Sequence, residues 1–187
     1  MADRIKKMGD LALAELAGVL EKVEEAGFYE FIETIAASKR VALHGLGREG
    51  LQIRGLAMRL FHLGIDAHVV GDMTTPPLGV GDLLIVSAGP GDFATIEALM
   101  NIARTAGAKT AVVTAQISSN LARHADVVLH IPAQTMANDQ AGKLSVLPMG
   151  SLFEASMMLV FELVILRLRD RLGETPESIR VRHTNLE

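Results

Sequence analysis

Two glycine-rich turns bring together residue types that could do chemistry. The stretch 45-GLGREG-50 sets Arg48 and Glu49 side by side, and 87-SAGPGDFAT-95 joins the apolar run 83-LLIVSA-88 to a segment with helical spacing. A strand-to-helix turn binds an anion when it offers free backbone N–H groups, a helix N-terminus and some hydroxyls. In the second turn Gly89 and Gly91 allow a close approach of the chain to a ligand, but Pro90 has no N–H. Asp92 would set a negative charge beside any phosphate. It is also expected to cap the helix beginning at Phe93, using N–H groups that a phosphate would need. The first turn matches G-x-G-x-x-G, and Asp72 lies at about the right distance for the ribose-binding acid of a dinucleotide site. Against a nicotinamide role, 187 residues are too few for a cofactor domain plus a substrate domain. A tight turn needing small residues accounts for the same glycines.

The elements that must position these turns follow from hydrophobic periodicity. Residues 4–26 and 28–37 have helical patterning, divided at Gly27, and form a helical arm. An alternation follows: strand 40–45, helix 49–63, strand 66–70, strand 82–88, helix 93–107, strand 109–115, short helix 118–124 and strand 126–131. This spacing predicts right-handed βαβ units and a parallel sheet covered on both faces. In such a sheet the strand-to-helix turns are where the ligand lies. Residues 132–148 read as a loop long enough for a functional role. A long helix over 151–172 ends at Gly173, and 176–181 makes a final turn before the tail 182-RHTNLE-187. Ser151 and Glu154 have the spacing of a capping box at the start of that long helix.

Composition excludes several classes. Net charge is −4 and the lysines and arginines are scattered, so the chain has no basic footprint for nucleic acid. There is no cysteine, which removes disulfides, thiolate nucleophiles and cysteine metal sites and fits a cytoplasmic protein. His62, His68, His124 and His130 have no metal-ligand spacing, and His44 is assigned to a core hydrogen bond. Hydrophobic residues make up 49% of the chain and mean hydropathy is +0.30, more apolar surface than a monomer readily covers. The segment 151-SLFEASMMLVFELVILRLRD-170 is the greasiest, but Glu154, Glu162 and Arg167 interrupt it too often for a membrane span. It reads as a helix buried in a subunit interface.

The strings 45-GLGREG-50, 55-GLAMRLFHLG-64, 71-GDMTTPPL-78, 147-LPMGSLFE-154 and 183-HTNLE-187 resemble the sugar isomerase (SIS) domain family, and within it the 6-phospho-3-hexuloisomerases, from about residue 40 to the end. The resemblance implies a flavodoxin-like α/β fold, a three-layer sandwich with a five-stranded parallel sheet. One domain would span 1–187, with the arm at 1–38, the sheet core at 39–132 and the terminal helix and tail at 149–187. It further implies a homotetramer and aldose–ketose isomerisation of a phosphorylated sugar without metal or organic cofactor, and the apolar terminal helix calls for at least a dimer.

The departures from the family pattern bear on the ligand. The family's first turn is similar to GxGRSG; Arg48 is kept, but Glu49 stands at the serine. The second resembles SxSGxT, which falls on Ala88 to Phe93, so both serines and the threonine are gone. Hydroxyls remain at Ser87, Thr95, Ser118 and Ser119. A hydrogen bond to a charged group contributes roughly 1.5–3 kcal/mol, so losing four such donors would weaken phosphate binding by several kcal/mol.

By the same resemblance, Glu154 of the LPMGxxFE string is the base that moves a proton through a cis-enediol, and His183 of the tail opens the sugar ring or shuttles a proton. Substrate contacts are expected from Gly47, Arg48, Glu49, Ser87, Gly89, Gly91 and Asp92, and from Thr75, whose loop the fold should bring near the site. Two functions from different classes stay open. One is an isomerase of a sugar, phosphorylated or not; the other is a carbohydrate-binding protein with little turnover. A purely structural role in assembly is a third.

Overall fold

The run Leu83–Ser87 is buried along its whole length, as a strand covered on both faces must be. It forms β3 at the centre of a five-stranded parallel sheet in the computed structural model, which describes residues 2–140, 142 and 144–186, residues 2 and 3 by backbone alone. Met1, Ala141, Lys143 and Glu187, which belong to the expected arm, loop and tail, lie outside the described residues. The strands are β1 (Val41–His44), β2 (Ala67–Val69), β3, β4 (Lys109–Thr114) and β5 (Val127–His130), in the order β2-β1-β3-β4-β5. Val41 pairs with Ala67 on one side and Leu83 on the other, which fixes the register at the middle of the sheet.

The helices are α1 (Ala2–Leu20), α2 (Glu25–Ala37), α3 (Gly47–His62), α4 (Ala94–Thr105), α5 (Asn120–His124), α6 (Ser151–Leu172) and α7 (Pro176–Val181). The two-residue period of the strands sorts them into two layers. Leu83 and Ile85 face a core shared with Phe31, Ile53, Phe153 and Val164, contributed by α2, α3 and α6. Leu84 and Val86 face the opposite core, built with Ile96, Met100 and Leu121 of α4 and α5. Right-handed crossovers running outward in both directions from the centre put their helices on opposite faces.

The expected α/β sandwich, its parallel sheet and its terminal helix are the observed architecture. The arm divides elsewhere than expected. The break falls at residues 21–24, and Gly27 lies inside α2, where a Cβ would come within 3.0 Å of the Val128 carbonyl. That glycine lets α2 lie close against β5 instead of ending a helix. No helix or strand occurs between β5 and α6 among the described residues, as the loop reading required. Gly173 closes α6 with φ 69°, and Thr175 and Ser178 form a capping box on α7. Among the described residues no helix is long and apolar enough to cross a membrane.

Candidate active site

The strand order reverses direction between β1 and β3, so the turns that leave these strands diverge and open a crevice at the carboxyl edge of the sheet. The first turn runs into α3. Its outer glycines serve close packing: a Cβ on Gly45 would lie 2.6 Å from Ser87 Oγ, and one on Gly50 would lie 2.5 Å from the Gly45 carbonyl, while Gly47 between them has open space around it but takes φ 53°. Asp72 pairs with Arg54 at 3.5 Å. The G-x-G-x-x-G pattern is thus met by the packing and backbone conformation of the turn.

Glu49, in the first turn of α3, reaches across the crevice. Its Oε2 accepts a hydrogen bond of 3.0 Å from the Gly89 N–H, and the residue is 9% exposed. Burial pushes this carboxyl above its ordinary pKa; the Gly89 N–H and the Ser87 hydroxyl pull it down, and the nearby charge of Glu154 pushes it up. The Ser87 hydroxyl faces Glu49 but meets no partner in hydrogen-bonding geometry, and its oxygen is buried.

The second turn keeps few donors. The Ala88 N–H is held by the Val113 carbonyl, that of Gly89 by Glu49 and that of Gly91 by the Ala88 carbonyl, while Pro90 has none. Asp92 does not cap the helix that follows it. Its carboxylate accepts from the N–H groups of Asn120 at 3.1 Å and Leu121 at 2.9 Å, at the start of α5, and these bonds hold its pKa low. The residue before α4 is Phe93, which caps nothing. Gly91 likewise faces Gln116 and Ser119. Ser119 caps α5 by accepting from the Ala122 N–H, so this hydroxyl is engaged within the fold.

The third wall is the start of α6. The expected capping box is not formed, because the N-cap is Gly150, in left-handed conformation at φ 71°, and Ser151 is already helical. Space demands glycine there, since a Cβ would fall 2.5 Å from the Met136 N. Met149 before it has φ 55°, unusual for a residue with a side chain, and its carbonyl accepts from Arg48 Nη2. The same Arg48 nitrogen lies 3.1 Å from Glu154 Oε1. Freed from capping, Glu154 turns into the crevice with its side chain 14% exposed, and its Oε2 is buried without a partner. Burial raises its pKa, against the opposing pull of the Arg48 charge.

These walls enclose a cleft of about 320 Å³ lined by Arg48, Glu49, Pro90, Phe93, Phe153 and Glu154, among others. A larger groove of about 710 Å³ runs between the arm and α6 past Phe28, Tyr29 and Leu163. It is a furrow between helix faces, whereas the smaller cleft lies at the carboxyl edge of the sheet, where Glu49 and Glu154 meet, and is the candidate site. Among the described residues no group of three or more His, Asp or Glu is placed to hold a metal ion.

Of the residues expected at the site, Gly47, Arg48, Glu49, Ser87, Gly89 and Glu154 come together. Gly91 and Asp92 turn toward α5. The Thr75 hydroxyl donates to the Val69 carbonyl at 2.6 Å and borders a separate depression with Arg54 and Asp72. His183 stacks on His62, ring centroids 5.4 Å apart, at the far end of α3. The 16 residues of that helix put it about 22 Å from Gly47. His44, assigned to the core, is partly buried, and that burial lowers its pKa against a backbone hydrogen bond at Val70. Phe153 and Met149 were not foreseen. The signal for Phe153 was Gly89, whose absent Cβ would sit 2.5 Å from the Phe153 ring.

Comparison with known proteins places this chain among relatives. Residues 34–159 match the model of the SIS domain. A 3-hexulose-6-phosphate isomerase of Mycobacterium gastri is 37% identical over 187 residues, covering 100% of this chain and 94% of the relative. One of Bacillus subtilis is 33% identical over 158 residues, covering 84% and 85%. A solved structure from Methanococcus jannaschii, described as inferring a molecular function of 3-hexulose-6-phosphate isomerase, superposes with a TM-score of 0.81 at 27% identity, covering 95% of this chain and 98% of that one.

Proposed function

Because this chain belongs to the SIS domain family, we propose that it is an aldose–ketose isomerase acting on a sugar derivative, with Glu154 as its base. The observation that carries the proposal is the state of Glu154. A carboxylate at the wall of a cleft, raised in pKa by burial and with Oε2 unengaged, suits a group that must take and return a proton near neutrality. Relatives named 3-hexulose-6-phosphate isomerase at 33% and 37% identity support the reaction class.

In this reading Glu154 removes the proton from the carbon beside the carbonyl, and the electron pair moves to form the enediol. The carbonyl oxygen takes up a proton. Glu154 then returns its proton to the former carbonyl carbon, and the neighbouring hydroxyl releases to the medium a proton that balances the one taken up by the first oxygen, so that its own oxygen becomes the new carbonyl. Arg48, bonded to Oε1 and to the Met149 carbonyl, holds the carboxylate in place and neutralises negative charge on the oxygens.

His183 cannot reach this cleft within one chain, so its part in ring opening is assigned to a second copy. Self-association, as a homotetramer or at least a dimer, is supported by the apolar side chains left exposed on α1 and α6, among them Ile5, Leu13, Met158 and Leu166. The absence of cysteine supports a cytoplasmic setting. A second reading, carbohydrate binding with little turnover, is favoured by one feature, the Glu49 carboxylate that spans the crevice. The separating experiment is turnover of a panel of aldoses and ketoses, free and phosphorylated, by the wild type and Glu154→Gln. Isomerisation lost in the variant supports the enzyme, and selective binding with no turnover by the wild type supports the second reading.

A further inference from the structure

A parallel sheet of this order receives its ligand between the turns after β1 and β3, and here a side chain crosses that gap. Glu49 leaves the first turn of α3 and lays its carboxylate on the Gly89 N–H at 3.0 Å. It also lies against the face of Gly89, its Oε1 3.0 Å from where a Cβ would stand. The neighbouring N–H groups of Ala88 and Gly91 are already bonded within the fold, and Pro90 has none. Among the N–H groups from Ala88 to Gly91, that of Gly89 is the one held by a side chain, and that side chain is a carboxylate. Glu154 faces the same space with a second carboxylate, and Arg48 is committed to it.

We propose that Glu49 is the specificity-determining residue of this cleft: it occupies the anion seat at Gly89 and reserves that end of the site for the uncharged, hydroxyl-bearing part of a sugar. A hydroxyl can donate to the Glu49 and Glu154 oxygens, whereas a phosphate arriving at Gly89 meets a like charge and an N–H that is already engaged. An anionic group on the substrate lies outside the β3–α4 turn. The identity of the ligand as a sugar rests on the isomerase reading, but the exclusion of an anion does not.

Charges and dipoles facing Glu49 come from three elements: Arg48 on its own helix, Glu154 on α6, and the Gly89 N–H and Ser87 hydroxyl of the β3 turn. Burial keeps its carboxyl above the ordinary pKa, so acidification neutralises Glu49 before it neutralises exposed carboxyls, and the exclusion of anions weakens on the acid side.

The test is calorimetric titration of the full chain at about pH 8, above the ordinary carboxyl range, with inorganic phosphate, a hexulose 6-phosphate and the free hexulose. Wild type is expected to bind inorganic phosphate poorly. Glu49→Gln, which keeps the shape without the charge, and Glu49→Ser, which empties the seat, are compared with it. An increase of more than about tenfold in affinity for inorganic phosphate in either variant supports the proposal. Low-micromolar binding of phosphate by wild type, or unchanged affinity in both variants with melting preserved, overturns it. Failure of the isomerase reading would appear separately, as absent turnover with the phosphate effect intact.

Discussion

Arg48 Nη2 and Glu154 Oε1 lie 3.1 Å apart, while Oε2 of the same carboxylate is buried without a partner. One oxygen is held and the other is left to accept a proton. The Arg48 charge draws the Glu154 pKa down against burial, so removing it moves that pKa up. Arg48→Ala is therefore expected to shift the acid limb of the kcat/KM profile to higher pH, because the base must be ionised to act. The check is a pH–rate profile of wild type and variant. An acid limb that stays in place would detach Arg48 from Glu154.

Glu49 gives a stability prediction with the sign fixed by its burial. Its folded-state pKa is raised above the unfolded value, so ionising it in the fold is unfavourable. The penalty is absent below the unfolded pKa and develops as pH rises through the folded one. Glu49→Gln should accordingly raise Tm above neutrality, and the gain should vanish by about pH 3, where the carboxyl is protonated in both states. Thermal unfolding across pH reads this directly. A loss of stability at high pH would mean that the bond to Gly89 outweighs the cost of burying the charge.

The separation between His183 and the Glu154 cleft predicts where the two cooperate. Light scattering should find a particle larger than the 20.0 kDa chain. Mixing Glu154→Gln with His183→Ala chains, unfolded and refolded together, should restore part of the activity that each lacks, because some sites then combine intact residues from two copies. No recovery in the mixed assembly, with both variants folded, would remove His183 from the chemistry.

The sheet was legible because its strands announce themselves. Leu83 to Val86 has no polar break, and the helices between strands have their own period. The glycines were legible as glycines but not by purpose. Gly45 and Gly50 pack against each other's backbone and Ser87, and Gly27 admits α2 to the sheet, all through contacts absent from a local window. Asp92 misled for a similar reason: a local reading gives it the helix that follows, whereas β4 brings the start of α5 to it, 28 and 29 residues on. The Ser151 to Glu154 spacing had the form of a capping box, but the left-handed backbone at Met149 and Gly150 begins α6 one residue early. Glu49 was visible only as a carboxylate in place of a family hydroxyl, and its partner Gly89 lies 40 residues away.

The central claim is that Glu154 moves a proton between adjacent carbons of a sugar. Proton NMR of a hexulose, free and 6-phosphorylated, incubated with the protein in deuterium oxide tests it most directly, because a proton held on a carboxyl exchanges with solvent before it returns to carbon. Wild type is predicted to place deuterium on a carbon beside the carbonyl, and Glu154→Gln to lower that rate by about 10²-fold or more while remaining folded. Exchange by Glu154→Gln at the wild-type rate, or isomerisation by wild type that continues in the variant undiminished, would contradict the account.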